Sequence, residues 1–228
     1  MSPASQLRDR RTTVDDIFDH LHSDISGLRL RPGDKISEAE VAAQFGVSRQ
    51  PVRDAFSRLA NLNLLLIRPQ RATEVRRFSM HEIEKARFVR CSVESEVLRR
   101  AARNAGPVAI ARLGVNLEEQ KAAIARKDYA EFGKIDYKFH ETLCDIAGVP
   151  FAFEVIRAEK AKVDRLCILS LAKEDRMPQL LDDHQKMTAA IKAGDAETAV
   201  EIGVLHLSRL DETITDIATS NADYFEPD

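Results

Sequence analysis

Tryptophan is absent from this 228-residue chain, and tyrosine appears only three times. Glycine and proline are sparse as well, at nine and eight residues. A chain short of turn-formers and large aromatics, and rich in Ala and Leu, argues against many short strands joined by tight turns and favours helices. The three cysteines, Cys91, Cys144 and Cys167, lie far apart with no CxxC pair. That spacing argues against a disulfide framework and points to reduced thiols and a cytoplasmic location. The longest apolar run, near residues 64–67, is far too short to span a bilayer, so no membrane partner is expected. The opening stretch MSPASQLRDRR has no apolar core, which argues against a secretory leader.

What is present is enough apolar material for one large domain or two modest ones. The net charge of −3 hides an uneven distribution. Residues 1–78 carry 13 Lys/Arg against 10 Asp/Glu, whereas residues 79–228 carry 21 against 27. A mildly basic head on an acidic body fits a nucleic-acid-binding module joined to something else.

In the head, Val14, Ile17, Phe18, Leu21, Ile25 and Leu28 follow helical spacing and predict an amphipathic helix over residues 12–29. Arg31, Pro32, Gly33 and Asp34 break it. Ser37 with Glu40 reads as a capping box that opens a short helix ending near Phe45, where Gly46 supplies a left-handed stop. Ser48 caps the next helix, whose apolar face is Val52, Ala55, Phe56 and Leu59. Residues 64–67 and 73–75, separated by Arg68, Pro69, Gln70 and Arg71, read as a hairpin.

Helix, helix, tight turn, helix and hairpin is the order of a winged helix-turn-helix, assigned here to residues 1–78. Arg49, Gln50 and Arg53 sit at the N-terminal end of the last helix, away from its apolar face, where a recognition helix meets the major groove. Ser48 and the helix N-terminus suit a phosphate, and Arg68 and Arg71 on the hairpin suit the neighbouring backbone or minor groove. Residues 37–58, SEAEVAAQFGVSRQPVRDAFSR, resemble the DNA-binding signature of GntR-family regulators. The resemblance implies that Arg49 and Arg53 are operator contacts. The chain departs from the family pattern at Ala39, where Arg is common, and at Gln70, where the wing tip often has Gly.

From the capping-box sequence at Ser79 and Glu82 onward, helical patterns cover 79–104, 107–127, 129–147, 150–171, 174–192 and 196–219. Residues 79–228 are therefore expected to form an antiparallel six-helix bundle, giving a mainly α protein. Polar residues interrupt its apolar stripes. Asp136 and His140 share the buried side of one helix, His184 lies on the stripe of a second, and His206 on that of a third. Each histidine alone reads best as a hydrogen-bonded core residue. Together with a buried carboxylate they read as a metal site, and three imidazoles with one carboxylate suit Zn²⁺, Ni²⁺, Mn²⁺ or Fe²⁺, with Zn²⁺ the first choice.

This pattern, with Asp183 preceding His184, resembles the ligand set of the FCD effector domain found in the FadR-like branch of the GntR family, in its six-helix variant. That resemblance implies a small organic acid bound beside the metal. Arg90, inside the buried stripe of Ile83, Ala86, Val93 and Val97, is the candidate partner of the effector carboxylate; an internal salt bridge to Glu94 is the equal alternative. The functional expectation is a homodimeric regulator, a repressor by the commoner family behaviour, that reads palindromic operator DNA and is modulated by a small carboxylate. Two alternatives stand beside it: a metal-responsive regulator and, less favoured, a metal-dependent hydrolase, since no carboxylate is placed as a general base. No enzymatic activity is expected. The stretch 117–127 reads as a solvated face, Cys144 and Cys167 as small buried thiols, and residues 221–228 as a frayed end.

Overall fold

Thr12 opens the first helix with a complete capping box: its hydroxyl accepts from the Asp15 amide while the Asp15 carboxylate accepts from the Thr12 amide. The computed structural model describes residues 12–171 and 176–227, except the side chains of 164, 167–171, 212 and 213. Two compact units emerge, one running to Phe78 and including the segment from Asp223, the other Ser79–Ala222.

In the first unit the order is α1 (Thr13–Ser26), β1 (Lys35–Ile36), α2 (Glu38–Phe45), α3 (Arg49–Asn61), β2 (Leu65–Leu66) and β3 (Thr73–Val75). Ile17, Leu21 and Ile25 of α1 pack with Val52, Ala55, Phe56 and Leu59 of α3 in one apolar cluster closed by Val75. The Ser37 hydroxyl accepts from the amides of Ala39 and Glu40, and Gly46 holds φ 65°, so the chain turns sharply between α2 and α3. The hairpin pairs Leu65 with Val75, and β1 adds a third antiparallel strand by pairing Ile36 with Thr73. Two residues are too few to show alternation, so β1 carries no signal of its own in the sequence. At the wing tip Gln70 takes φ 58°, the left-handed conformation that glycine adopts freely.

The C-terminus departs from the frayed end expected of it. Phe78 donates its amide to the Tyr224 carbonyl and accepts from the Glu226 amide, both at 2.8 Å, as in a short parallel bridge. The Phe78 and Phe225 rings lie 5.4 Å apart, and Arg77 Nε donates to the Asp223 carbonyl. A lone phenylalanine among polar residues looks like a loose end in sequence; here it finds an apolar partner, and its backbone finds hydrogen bonds.

The second unit comprises α4 (Met80–Asn104), α5 (Pro107–Ala125), α6 (Tyr129–Ile146), α7 (Ala152–Leu171), α8 (Arg176–Ala193), α9 (Ala196–Ser208) and α10 (Leu210–Ser220). The stops are those that local chemistry predicts: Pro107 in the first turn of α5, and Asp128 and Asp195 capping α6 and α9. The last expected helix is divided at Arg209, whose guanidinium pairs with Asp183 on α8 and whose carbonyl accepts from Arg176. The core runs through Val97, Leu113, Phe139, Leu143, Met187, Ile191 and Ala199. Gly203 faces Leu98, whose Cδ1 occupies the space a Cβ would need. That glycine lets α9 approach α4 closely and so brings His206, one turn on, into the core.

The docked tail should contribute measurably to the first unit. Replacing Phe225 by Ala is expected to cost about 3 kcal/mol, the usual range for a buried aromatic. Hydrogen exchange at the Val75 amide, bonded to the Asp34 carbonyl at 2.8 Å, reads the loss; unchanged protection would show that the tail adds nothing.

Candidate functional site

Two groups of side chains stand out, one on each unit. On the first, Ser48, Arg49, Gln50 and Arg53 are all exposed at the N-terminal end of α3. Ser48 occupies the cap position, but its hydroxyl makes no capping bond, contrary to the expected cap. Two of these residues are held by neighbouring acids: Arg53 Nη2 lies 3.1 Å from Glu38, and Gln50 donates to Asp54 at 2.9 Å. On the hairpin Arg68 and Arg71 are exposed, with Arg68 3.7 Å from Glu74.

On the second unit, Asp136 and His140 from α6, His184 from α8 and His206 from α9 converge, each buried, with one candidate ligand atom apiece lying within 4.8 Å of all the others. The outward atoms decide what the inward ones can do. His140 Nδ1 sits 2.8 Å from Glu94 Oε2, and a carboxylate only accepts, so Nδ1 carries the ring proton. His184 Nδ1 lies 2.8 Å from Gln120 Oε1. Gln120 is oriented in turn, because its amide nitrogen donates to Asn116 Oδ1 at 2.7 Å and Asn116 donates to the Ile135 carbonyl at 3.0 Å. The third ring, His206, has Nδ1 3.5 Å from Asp183 Oδ2. Outer partners of this kind orient imidazoles that bind metals.

The inward faces are left as acceptors. His140 Nε2 and His184 Nε2 are buried with no hydrogen-bond partner, and they lie 3.9 and 3.6 Å from Asp136 Oδ1. Burial keeps the His184 ring neutral, so with its Nδ1–H on Gln120 its Nε2 has no proton to share with that oxygen, and a buried orphan costs about 1–3 kcal/mol. A cation at their common point is what this donor set fits.

Electrostatics supports the same state. Burial opposes ionisation of Asp136, but the Lys160 ammonium, 3.1 Å away, is foremost among the neighbours that hold the carboxyl ionised, well below its usual range. Burial likewise opposes the charge on Asp183, yet His206 and Arg209 bring it down to about 2. Burial pushes His184 far below the ordinary histidine value, and His206 below it too, so both rings stay neutral as metal ligands must.

Beside the cluster lies a cavity of about 70 Å³ lined by Asp136 and His206 together with Arg90, Lys160 and Arg176. Arg90 makes the internal salt bridge, its Nε donating to Glu94 at 2.8 Å, and its side chain also lines this cavity. Cys144 is buried but outside the cluster, with burial raising its thiol to about 12; the Cys167 side chain lies outside the described residues.

Residues 13–75 match the pattern of the bacterial regulatory proteins of the gntR family, and residues 86–209 match the FCD domain. The chain belongs to the GntR family. It is 34% identical over 225 residues to the HTH-type transcriptional repressor RspR of Escherichia coli (strain K12), covering 99% of both chains. With the gluconate operon transcriptional repressor of Bacillus licheniformis it shares 29% identity over 178 residues, covering 76% of this chain and 72% of that one. The fold is similar to that of E. coli McbR/YncC, at a TM-score of 0.69 and 20% identity, over 90% of this chain and 99% of the other. This GntR-family protein is a sequence-specific DNA-binding regulator whose C-terminal domain carries a candidate metal or ligand cluster, and the hydrolase reading falls away. Among the described residues no helix is long and apolar enough to cross a membrane.

Sequence reasoning about this GntR-family chain missed the outer partners. Gln120 falls within the stretch expected to be a solvated face, yet it is fully buried. Its signal was its position four residues after Asn116, with both on the stripe of Leu113 and Leu117. Lys160 and Arg209 had no such signal, since a long cation in an amphipathic helix normally reads as surface.

The depressed histidines make metal-free stability depend on pH. His184 and His206 bind protons less readily folded than unfolded, so the unfolded chain takes up protons first as the pH falls through the ordinary value of 6.5. Their contribution is complete above that value and is lost below it. The thermal midpoint of the metal-free protein is expected to drop between about pH 7.5 and 5.5; a flat profile would show that these rings titrate alike in both states.

Proposed function

We propose that this regulator is a repressor whose operator affinity is set by a small carboxylate bound beside a divalent transition metal. Asp136, His140, His184 and His206 would hold the ion, with Zn²⁺ the first choice among Zn²⁺, Ni²⁺, Mn²⁺ and Fe²⁺. The observation that carries the reading is the pair of partnerless inward nitrogens, on His140 and His184, facing the Asp136 carboxylate. When bound, such an ion supplies Lewis acidity toward an oxygen ligand. The protein's own residues do the rest. Glu94 and Gln120 orient two of the rings, Asp183 stands 3.5 Å from the third, and Arg90 offers a planar two-pronged partner to a carboxylate in the adjoining cavity. The names of the relatives support a repressor, and one of them controls a gluconate operon, which fits an acid as signal. The cations lining the cavity favour this reading over one in which the metal alone is the signal.

At the other end, Ser48, Arg49, Gln50 and Arg53 would read a half-site in the major groove, with Arg68 and Arg71 on the flanking backbone or minor groove. The protein would act as a homodimer of two winged heads, residues 1–78 in each chain, on a palindromic operator, with residues 79–228 as the sensing and dimerising part. Arg53 and Gln50 would exchange their bonds to Glu38 and Asp54 for bonds to DNA. Effector binding changes operator affinity only as far as it discriminates the free from the DNA-bound form.

Purified protein is expected to carry one divalent ion per chain, removable by chelation and restored by Zn²⁺, and His184→Ala should bind none. Operator affinity measured with metal and candidate acids added separately then tests the signal: response to an acid only when metal is present supports the reading, and response to metal alone replaces it with a metal sensor. Arg49→Ala should weaken operator binding about tenfold or more and flatten its salt dependence; unaltered affinity would remove Arg49 from the interface.

A further inference from the structure

The chain passes from the first unit to the second between Phe78 and Ser79 and comes back between Ala222 and Asp223. Neither crossing has slack. Ser79 already caps α4, and only Asn221 and Ala222 separate the end of α10 from Asp223, a reach of about 7 Å at full extension. The returning segment docks on the residue from which the chain left: Phe78 donates to the Tyr224 carbonyl and accepts from the Glu226 amide, and Phe225 packs on its ring. Arg77 ties this segment to the wing. Its Nε donates to the Asp223 carbonyl at 2.9 Å, its guanidinium pairs with Glu74 of β3, and it lies over Gly33, where a Cβ would collide with it. Glu74 lies in turn 3.7 Å from Arg68 on the hairpin.

The other end of this path starts at the cluster. His206 Nδ1 lies 3.5 Å from Asp183 Oδ2, and Asp183 accepts from the Arg209 guanidinium at 3.1 and 3.2 Å, at the joint from which α10 sets out. The helix between is anchored along its length: Leu210, Ile214 and Ile217 are buried, it packs on α7, and Asp211 pairs with Arg87 of α4. From these connections, and resting on the metal reading above, we infer that residues 221–226 form a strap that carries the state of the cluster to the wing. A cation held by His206 fixes that ring, whose neighbour Asp183 anchors Arg209 and so the start of α10. The far end of α10 lies two residues from the strap. A short terminal segment opens at lower cost than a core strand, so a change at its root alters how often it is docked. While docked, it gives Arg77 a carbonyl to donate to; undocked, Arg77 loses that acceptor, and the sharing of Glu74 between Arg77 and Arg68 shifts. Occupancy of the cluster thereby biases a candidate DNA contact of the hairpin, and the bias is reciprocal.

The test uses Zn²⁺ alone as the probe, because it engages His206 with or without an acid, and reads amide hydrogen exchange on the full-length protein. Saturating Zn²⁺ is expected to raise protection about threefold or more at the Phe78 and Glu226 amides and at the Val75 amide of β3. In Phe225→Ala, Zn²⁺ should still bind and still protect α8 and α9, while its effect at Val75 disappears. Glu226→Pro, which deletes one docking bond and keeps the ring pair, should lose that effect as well, and it decides the matter should Phe225→Ala not fold. An effect at Val75 that survives in the folded variants assigns the coupling to the Phe78–Ser79 crossing and overturns the inference. Wild-type tail amides indifferent to bound Zn²⁺ overturn it too, and both results leave the metal site standing. Failure of Zn²⁺ to bind the wild type removes the metal reading, and the strap's role with it.

Discussion

A buried carboxylate and the unprotonated faces of buried imidazoles repel one another, and a helical bundle tolerates such a meeting only if everything around it is arranged to allow it. Here the arrangement begins on the far side of each ring. Glu94 on α4 and Gln120 on α5 each accept a hydrogen bond from a ring N–H, so that two helices contributing no ligand orient two of the rings, and Asp183, on α8 beside His184, stands against the third. Gln120 can face His184 with its oxygen only because Asn116 accepts its amide and is itself anchored on α6. The cluster thereby reaches α4, α5, α6, α8 and α9, and the close approach of α9 to α4 depends on Gly203 having no side chain to collide with Leu98. Packing and chemistry are one constraint in this unit, since a shift of any of these helices would disturb both.

How much of this was legible in sequence follows from the range over which each signal acts. The winged head was legible nearly throughout, because caps, stops and periodicity are local: Ser37, Gly46 and the Val52 to Leu59 stripe each act within a turn or two of chain. What escaped was β1, whose two residues pair with β3 although two helices and β2 intervene, and the docked tail, whose partner Phe78 lies far away in sequence. In the bundle, Asp136, His140, His184 and His206 could be proposed because polar groups on apolar stripes are conspicuous. Their outer partners were harder to see. Glu94 and Gln120 sit at helical spacing from Arg90 and Asn116, but which polar residue faces which ring depends on how the helices cross, and no periodicity encodes that. Lys160 and Arg209 are long side chains whose ends lie far from their own backbone, so helical position says little about where the charge goes.

The two units use ion pairs in opposite regimes. In the first unit the pairs reach solvent on the arginine side, Arg53 with Glu38 and Arg68 with Glu74, and such contacts are worth little and are readily exchanged. Self-pairing of this kind keeps these two arginines from carrying bare charge, and its small energy is no obstacle to rearrangement. Around the cluster, Asp183 with Arg209 and Asp136 with Lys160 are withdrawn from solvent, and breaking one would strand a buried charge. Such pairs persist through any event that does not supply a replacement charge at the same place. A group that displaces one of these buried pairs must therefore supply charge of its own, whereas one that displaces a pair of the first unit need only outcompete water and a weak neighbour.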